Sequence, residues 1–322
     1  MARDLKLDGL KSILIFLVVL GHLSFKEPLG IPLHRIIYAF HMPAFVFVSG
    51  YLTSPYYTPP EKRRKWLRQT LLIYVIAQIL HILLDTSLGN TVDVKTLLMI
   101  SPSFSLWYLI SLIWWRLMAW HLFVHSKGKD MDMGLFAASL LLAVTVGFIP
   151  ISQDFSFQRT FAFLPCFVSG YLCRKYRLTG AIERTPIGIS LLVLLMGITV
   201  SAFVPTYIPR WHYASLPAGM KDMLIRAVQT GQGLLLTLCI FRLSRSIPLE
   251  RLTKWGAYSL WIYIGHALLV RINPIERMQM HFWGLKSDLL EALTIATLYC
   301  IVFSLLAGLY YKNKMKIPWK RS

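Results

Sequence analysis

Apolar runs of about 17 to 25 residues return along the whole chain, and a run of that length crosses the hydrocarbon of a bilayer as an α-helix. Nothing else in the sequence narrows the fold as much. Hydrocarbon offers the backbone no hydrogen bonds, so each crossing segment must satisfy its own N–H and C=O groups, as a helix does. We expect about ten spans, over about 8–25, 33–52, 67–85, 104–124, 134–150, 159–173, 187–204, 223–241, 257–273 and 288–311. The expected fold is all-α, a polytopic membrane helix bundle. Composition agrees, since 56% of the residues are apolar and only 15% are charged, against roughly 25% charged in soluble domains. The largest loops, about 53–66, 86–103, 205–222 and 274–287, are too short for a separate soluble domain, so residues 1–322 read as a single transmembrane domain.

A net charge of +19 raises the question of a nucleic-acid partner, but the placement of the cations answers it. Most of the 34 Lys and Arg residues fall in alternate loops and in both tails, among them Arg3, Lys6, the run Lys62, Arg63, Arg64, Lys65 and Arg68, and the tail Lys312 to Arg321. Positive loops stay cytoplasmic, so both termini are expected inside the cell. The partner implied is the membrane and its lipids, and no nucleic acid is expected. The first span has no small-residue cleavage site after His22 and is read as a retained helix. Cys166, Cys173, Cys239 and Cys300 lie in or beside apolar spans without a CxxC pair, so they read as small core residues and no metal site is expected.

Ionisable residues inside spans are costly and are functional candidates by default. Lys11 and His22 share the first span, and eleven residues of helix bring them within about 20° of one face, about 16 Å apart. The plainer reading is that Lys11 snorkels to the headgroups and His22 caps the far end. Asp8, three residues before Lys11, is expected to pair with it on the helix surface. Arg116 falls among Trp114, Trp115 and Trp120 and should face the interior or stack on an aromatic ring. Pro43 and Pro165 each remove a helical hydrogen bond, freeing the carbonyls of Ala39 and Phe161. A kink beside His41 suggests a polar pocket between the first two helices, although an ordinary packing kink fits as well. YAFHMPAFVFVSGYL at Tyr38 to Leu52 echoes FAFLPCFVSGYL at Phe161 to Leu172, either through duplication or through convergence on a kinked helix with a small-residue packing face. His266 reads as a packing or capping group, and His81, His121, His125 and His212 as interfacial residues.

LDGLKSILIFLVVLGH, IIYAFHMPAFVFVSGYL, LWYL at Leu106 to Leu109, FLPCFVSGYL and YSLWIYIGH at Tyr258 to His266 together resemble the acyltransferase 3 family of integral-membrane O-acyltransferases, in the same order along the chain. The FHMP and SGYL forms are most similar to the branch of fucose 4-O-acetylases. The resemblance implies an acyl-CoA-dependent O-acetyltransferase of the bacterial inner (plasma) membrane, multi-pass. Acetyl-CoA would be the cytosolic acyl donor, and a sugar hydroxyl of a cell-envelope or lipid-linked glycan would be the acceptor. In that family a basic residue, ten intervening residues and a histidine mark the first helix, as at Lys11 and His22. A pair of Arg three apart opens the third, where this chain has Lys65 and Arg68. A lysine at the first of those positions lacks the planar fork that holds phosphate bidentately.

Coenzyme A joins a phosphorylated head to a long thin arm with a thioester at its tip, so its site needs cations at a mouth and a reactive group one arm-length deeper. Lys11 with Lys65, Arg68 and Arg64 supplies candidate donor-binding cations. Five cations beside a span also serve simply as a topology signal and headgroup anchor. His22 is the first candidate for catalysis, as general base on the sugar hydroxyl or as a transient acyl acceptor. His41 is the second, to orient His22 or bind the acceptor. Arg116, Arg159 and Trp107 are candidate acceptor-binding residues, and Ser49, Tyr51 and Trp107 candidate donors to a developing oxyanion. Because some relatives carry a fused soluble domain and none is expected here, the acceptor would have to reach the membrane pocket itself or receive acetyl from a separate protein. The alternative is a transporter or flippase of a sugar-linked lipid. Against it, the sequence has no convincing inverted repeat and no intramembrane acid typical of proton coupling.

Overall fold

The computed structural model describes residues 4–23, 30–150, 154–203, 212–272 and 288–316. They form α1 (Leu5–His22), α2 (Gly30–Leu52), α3 (Pro60–Ser87), α4 (Val94–Leu97), α5 (Trp107–His121), α6 (Lys129–Thr145), α7 (Phe157–Ala162), α8 (Leu164–Lys175), α9 (Thr179–Glu183), α10 (Ile187–Phe203), α11 (Gly219–Ser244), α12 (Thr253–Ala257), α13 (Ser259–Ile272) and α14 (Asp288–Lys316). No strand occurs among the described residues. The fold is all-α, and helix lies over each of the expected spans. Among the described residues, five segments are long and apolar enough to cross a membrane: Ile31–Leu52, Pro60–Ser87, Lys129–Phe148, Gly219–Ser244 and Ala292–Lys312. Ile187–Phe203 and Ser259–Ile272 are apolar but shorter. Arg3, Lys320, Arg321 and the expected loop over 274–287 lie outside the described residues.

The sixth expected span is not one helix. α7 ends at Ala162, and α8 restarts with Pro165 in its first turn. Proline is tolerated at a helix start, where its missing N–H would have had no partner. Pro43 by contrast lies inside a continuous α2. The two echoing segments therefore handle their prolines differently.

The chain divides into two compact units, residues 1–37 with 244–322, and residues 38–243. In the first, Asp4 caps α1 by accepting from the Leu7 N–H at 3.2 Å and holds Arg245 at 2.8 Å. α1 then packs on α12 through small residues. Gly256 lies against the Asp8 carbonyl with no room for a methyl group. The Ser12 hydroxyl accepts the Gly256 N–H at 2.6 Å and donates to the Leu252 carbonyl. Phe16 stacks on Trp255. Lipid tails are as apolar as Leu, so helix association in a membrane depends on such close packing and on hydrogen bonds.

In the second unit α2 and α8 cross at the repeated hexapeptide FVSGYL. Gly50 lies against the backbone of Phe167, and Gly170 against the backbone of Phe47, each without space for a Cβ. The echo is thus a reciprocal packing face. α11 closes on the kink: a Cβ at Gly233 would lie 2.9 Å from the Pro43 ring and 3.4 Å from the Ala39 oxygen that the proline frees.

Hydrogen bonds respect the expected alternation of sides. On the side expected to be cytoplasmic, Tyr51 bonds Thr179 at 3.0 Å, Lys175 donates to the Ser126 carbonyl at 3.2 Å, and Arg242 donates to the Thr185 carbonyl at 2.7 Å. On the other side, Lys95 pairs with Asp154 at 2.8 Å and Gln158 bonds His212 at 2.8 Å. His81, expected at the interface, is instead fully buried on α3, on the same face as Tyr74 and Gln78. Those two bond the Met99, Thr96 and Ser101 carbonyls of the following loop. All four cysteines are buried and free.

Candidate active site

α1 carries the basic residue and the histidine on one helix, as the spacing requires. Lys11 pairs with Asp8 at 2.7 Å, but Asp8 is buried, so the pair is inside the protein and not on the helix surface as expected. His22 ends α1 with its Nδ1 at 2.7 Å from the Val18 carbonyl. A carbonyl only accepts, so Nδ1 carries the proton and Nε2 keeps its lone pair.

The ring that faces His22 within this unit is His266 of α13, at 5.3 Å between centroids and tilted by 49°. His266 is fully buried, and its Nδ1 meets the Ile262 carbonyl at 3.0 Å. The same argument leaves its Nε2 basic. Tyr263 lies alongside at 6.0 Å. By sequence alone His266 reads as a packing or capping group. The signal that marks it is the second GH dipeptide, Gly265–His266, matching Gly21–His22, but only the fold pairs the two.

The remaining candidates belong to the second unit. His41 is buried with its ring 4.8 Å from Tyr38, in edge-to-face contact. The Arg159 guanidinium lies 5.0 Å over Trp107, whose indole also stacks on Phe163 at 5.4 Å, and its charge reaches the Tyr38 hydroxyl. Trp107 and Arg159, both expected at the acceptor, are therefore in direct contact. Ser49 hydrogen-bonds the Tyr108 hydroxyl at 2.5 Å and donates to the Phe45 carbonyl at 3.0 Å. Tyr51 is instead tied to Thr179 at 3.0 Å.

Arg64, Lys65 and Arg68 are exposed on the first two turns of α3 and form no ion pair among the described residues. Arg63 is committed to the preceding loop, donating to the Thr58 carbonyl at 2.6 Å. Trp66, between Lys65 and Arg68, has the Arg116 guanidinium stacked 4.4 Å over its ring and Trp120 at its edge at 5.4 Å. The expected stack on an aromatic ring is thus on α3. An Arg at the centre of a membrane helix costs about 2.5–3.5 kcal/mol on insertion scales. A cation–π contact contributes about 0.5–2 kcal/mol, so stacking offsets only part of that cost.

Among known proteins, the acyltransferase 3 family model, described as an acyltransferase domain, matches residues 4–314. Two curated relatives are both called nodulation protein NolL, from Sinorhizobium fredii (strain NBRC 101917 / NGR234) and Mesorhizobium japonicum (strain LMG 29417 / CECT 9101 / MAFF 303099). Each is 46% identical over 59 residues, which is 16% of this chain and 16% of the relative. The chain therefore matches only a small part of either relative's length. No solved structure matches. With the family model running from the cap of α1 into the end of α14, this multi-pass membrane protein belongs to the acyltransferase 3 family.

Proposed function

We propose that this acyltransferase moves an acetyl group from cytosolic acetyl-CoA to a sugar hydroxyl of a cell-envelope or lipid-linked glycan, in the plasma (inner) membrane of a bacterium. The observation that carries the reading is the His22–His266 pair, on the same helix as Lys11. It puts two basic nitrogens together about 16 Å from a cation, and a thioester arm needs such a separation between the anchor of its head and the base at its tip.

In the proposed reaction His22 Nε2 takes the proton of the sugar hydroxyl as the oxygen attacks the thioester carbonyl. The tetrahedral intermediate collapses with cleavage of the C–S bond. The leaving thiolate takes the proton back from the imidazolium, giving the acetyl ester and free coenzyme A. His266 steadies the charged ring in between. Lys11 binds the donor head on the helix that carries His22; within the second unit Lys65, Arg68 and Arg64 are cations suited to the same phosphorylated chemistry, and Arg159 on Trp107 offers the acceptor a cation on an aromatic face.

The test is acetyl transfer and acetyl-CoA hydrolysis by detergent-purified protein, with His22→Ala compared at equal monodispersity. Loss of both activities in the variant is expected. Unchanged turnover in the variant overturns the role of His22, and donor-independent lipid movement by the wild type would favour a flippase. Mass spectrometry of envelope glycans from cells with and without the protein identifies the acceptor.

A further inference from the structure

Arg116 is a charged residue of the second unit whose position the reading above leaves unexplained. It belongs to the second half of α5, and its guanidinium covers the indole of Trp66 at 4.4 Å. Its Nε is buried, and no hydrogen-bond partner meets it among the described residues. No carboxylate pairs with it there either. The polar neighbour that feels its charge is the Tyr108 hydroxyl, which is itself bonded to Ser49.

The stack decides which part of the group is available. The guanidinium carbon lies over Trp66, and the N–H donors of an arginine form a planar fork that matches a phosphate or carboxylate. The surroundings choose between those anions. Trp66 lies in sequence between Lys65 and Arg68, both exposed, with Arg64 beside them. Three exposed cations on the helical end that carries Trp66 favour a ligand with several negative charges.

We infer that Arg116, held on Trp66, is an inner phosphoryl-binding site, taking phosphate oxygens in its in-plane fork behind the exposed Arg64, Lys65 and Arg68. This moves Arg116 from the acceptor, where its sequence position suggested it, to the donor side. Two sources carry the same chemistry, the phosphates of coenzyme A and the headgroup of an anionic phospholipid. The assignment to coenzyme A rests on the acetyl-CoA reading above; the phosphoryl site itself does not.

The experiment uses the full chain in nanodiscs, as wild type, Arg116→Gln and Arg116→Lys. Calorimetry measures coenzyme A and pantetheine binding, and native mass spectrometry measures retained phosphatidylglycerol. We expect Arg116→Gln to weaken coenzyme A binding about tenfold or more, Arg116→Lys to weaken it less, and pantetheine binding to stay unchanged. The lysine variant retains charge, so the fork is still tested if the glutamine variant does not fold. Loss of phosphatidylglycerol alone keeps the phosphoryl site and assigns it to lipid. Wild-type binding of coenzyme A and phosphatidylglycerol in both variants overturns the inference. If the wild type binds no coenzyme A, the donor reading fails, and the lipid measurement still decides the fate of Arg116.

Discussion

The imidazoles of His22 and His266 stand 5.3 Å apart, each with Nδ1 directed at the carbonyl four residues earlier in its own helix. Both rings are thereby oriented by their backbones, and both present Nε2 as the base. His22 is half-buried and His266 fully buried, so the two need not share one role.

His22→Ala should lower kcat by about 10²–10⁴, the range for a positioned general base. His266→Ala should cost less, and His266→Gln, which keeps a hydrogen-bonding group, less still. Single-turnover kinetics with acetyl-CoA and an acceptor glycan separate the two. Equal losses at both positions would mean that the rings act as a unit and not as base and support.

Lys11→Ala should raise KM for acetyl-CoA about tenfold and leave kcat within about twofold, as removal of a binding charge does. Lys11→Arg should preserve binding. A drop in kcat without a change in KM would place Lys11 at the chemistry and not at the donor head. Asp8 is buried against Lys11, so Lys11→Ala should be combined with Asp8→Asn to separate donor binding from the cost of an unpaired carboxylate.

The crossing of α2 and α8 predicts non-additive damage. Gly50→Ala and Gly170→Ala each put a methyl group against a backbone, at Phe167 and Phe47, and should each destabilise by about 1–3 kcal/mol. The double variant should cost less than the sum, since the first substitution already parts the helices for the second. Thermal unfolding in detergent measures all three. Strict additivity would contradict a single shared crossing.

Where α6 starts and α8 ends, Asp132 is enclosed by Lys175 at 2.6 Å and by the Tyr176 hydroxyl. Lys175→Met leaves that carboxylate without its cation and should cost about 3–5 kcal/mol. Adding Asp132→Asn should recover part of the loss. Unchanged stability in Lys175→Met would show that the pair is solvated in the membrane.

The hydrogen bond to Asp132 also pushes the phenol of Tyr176 up to about 12 from an ordinary value of 10.0. A group whose pKa is raised by folding stabilises the protein below its unfolded pKa, and that contribution fades as pH rises through the folded value. The loss should run between pH 10 and 12 and be absent in Tyr176→Phe. Spectroscopic titration of tyrosinate should show one late-ionising tyrosine fewer in that variant.

Helix positions were readable from the chain because a bilayer's thickness sets the length of an apolar run. The one-face arrangement of Lys11 and His22 was readable too, since it depends only on the local repeat of a helix. The break at Phe163 was not. Pro43 and Pro165 look alike in sequence, yet α2 continues through one while α8 starts afresh before the other. Which outcome a proline produces depends on what packs against the freed carbonyl, and at Ala39 the neighbour is Gly233.

Tertiary structure alone decided the partners. His266 faces His22, Arg116 lies on Trp66, and the two FVSGYL segments interlock through Gly50 and Gly170. Each of these joins residues far apart in the chain, and periodicity gives a residue's face without saying which helix meets it. Span length and sidedness come from the solvent around each segment taken singly, so the sequence carries them; pairing comes from packing between segments, where small residues and in-plane donors select a neighbour only once the helices are assembled.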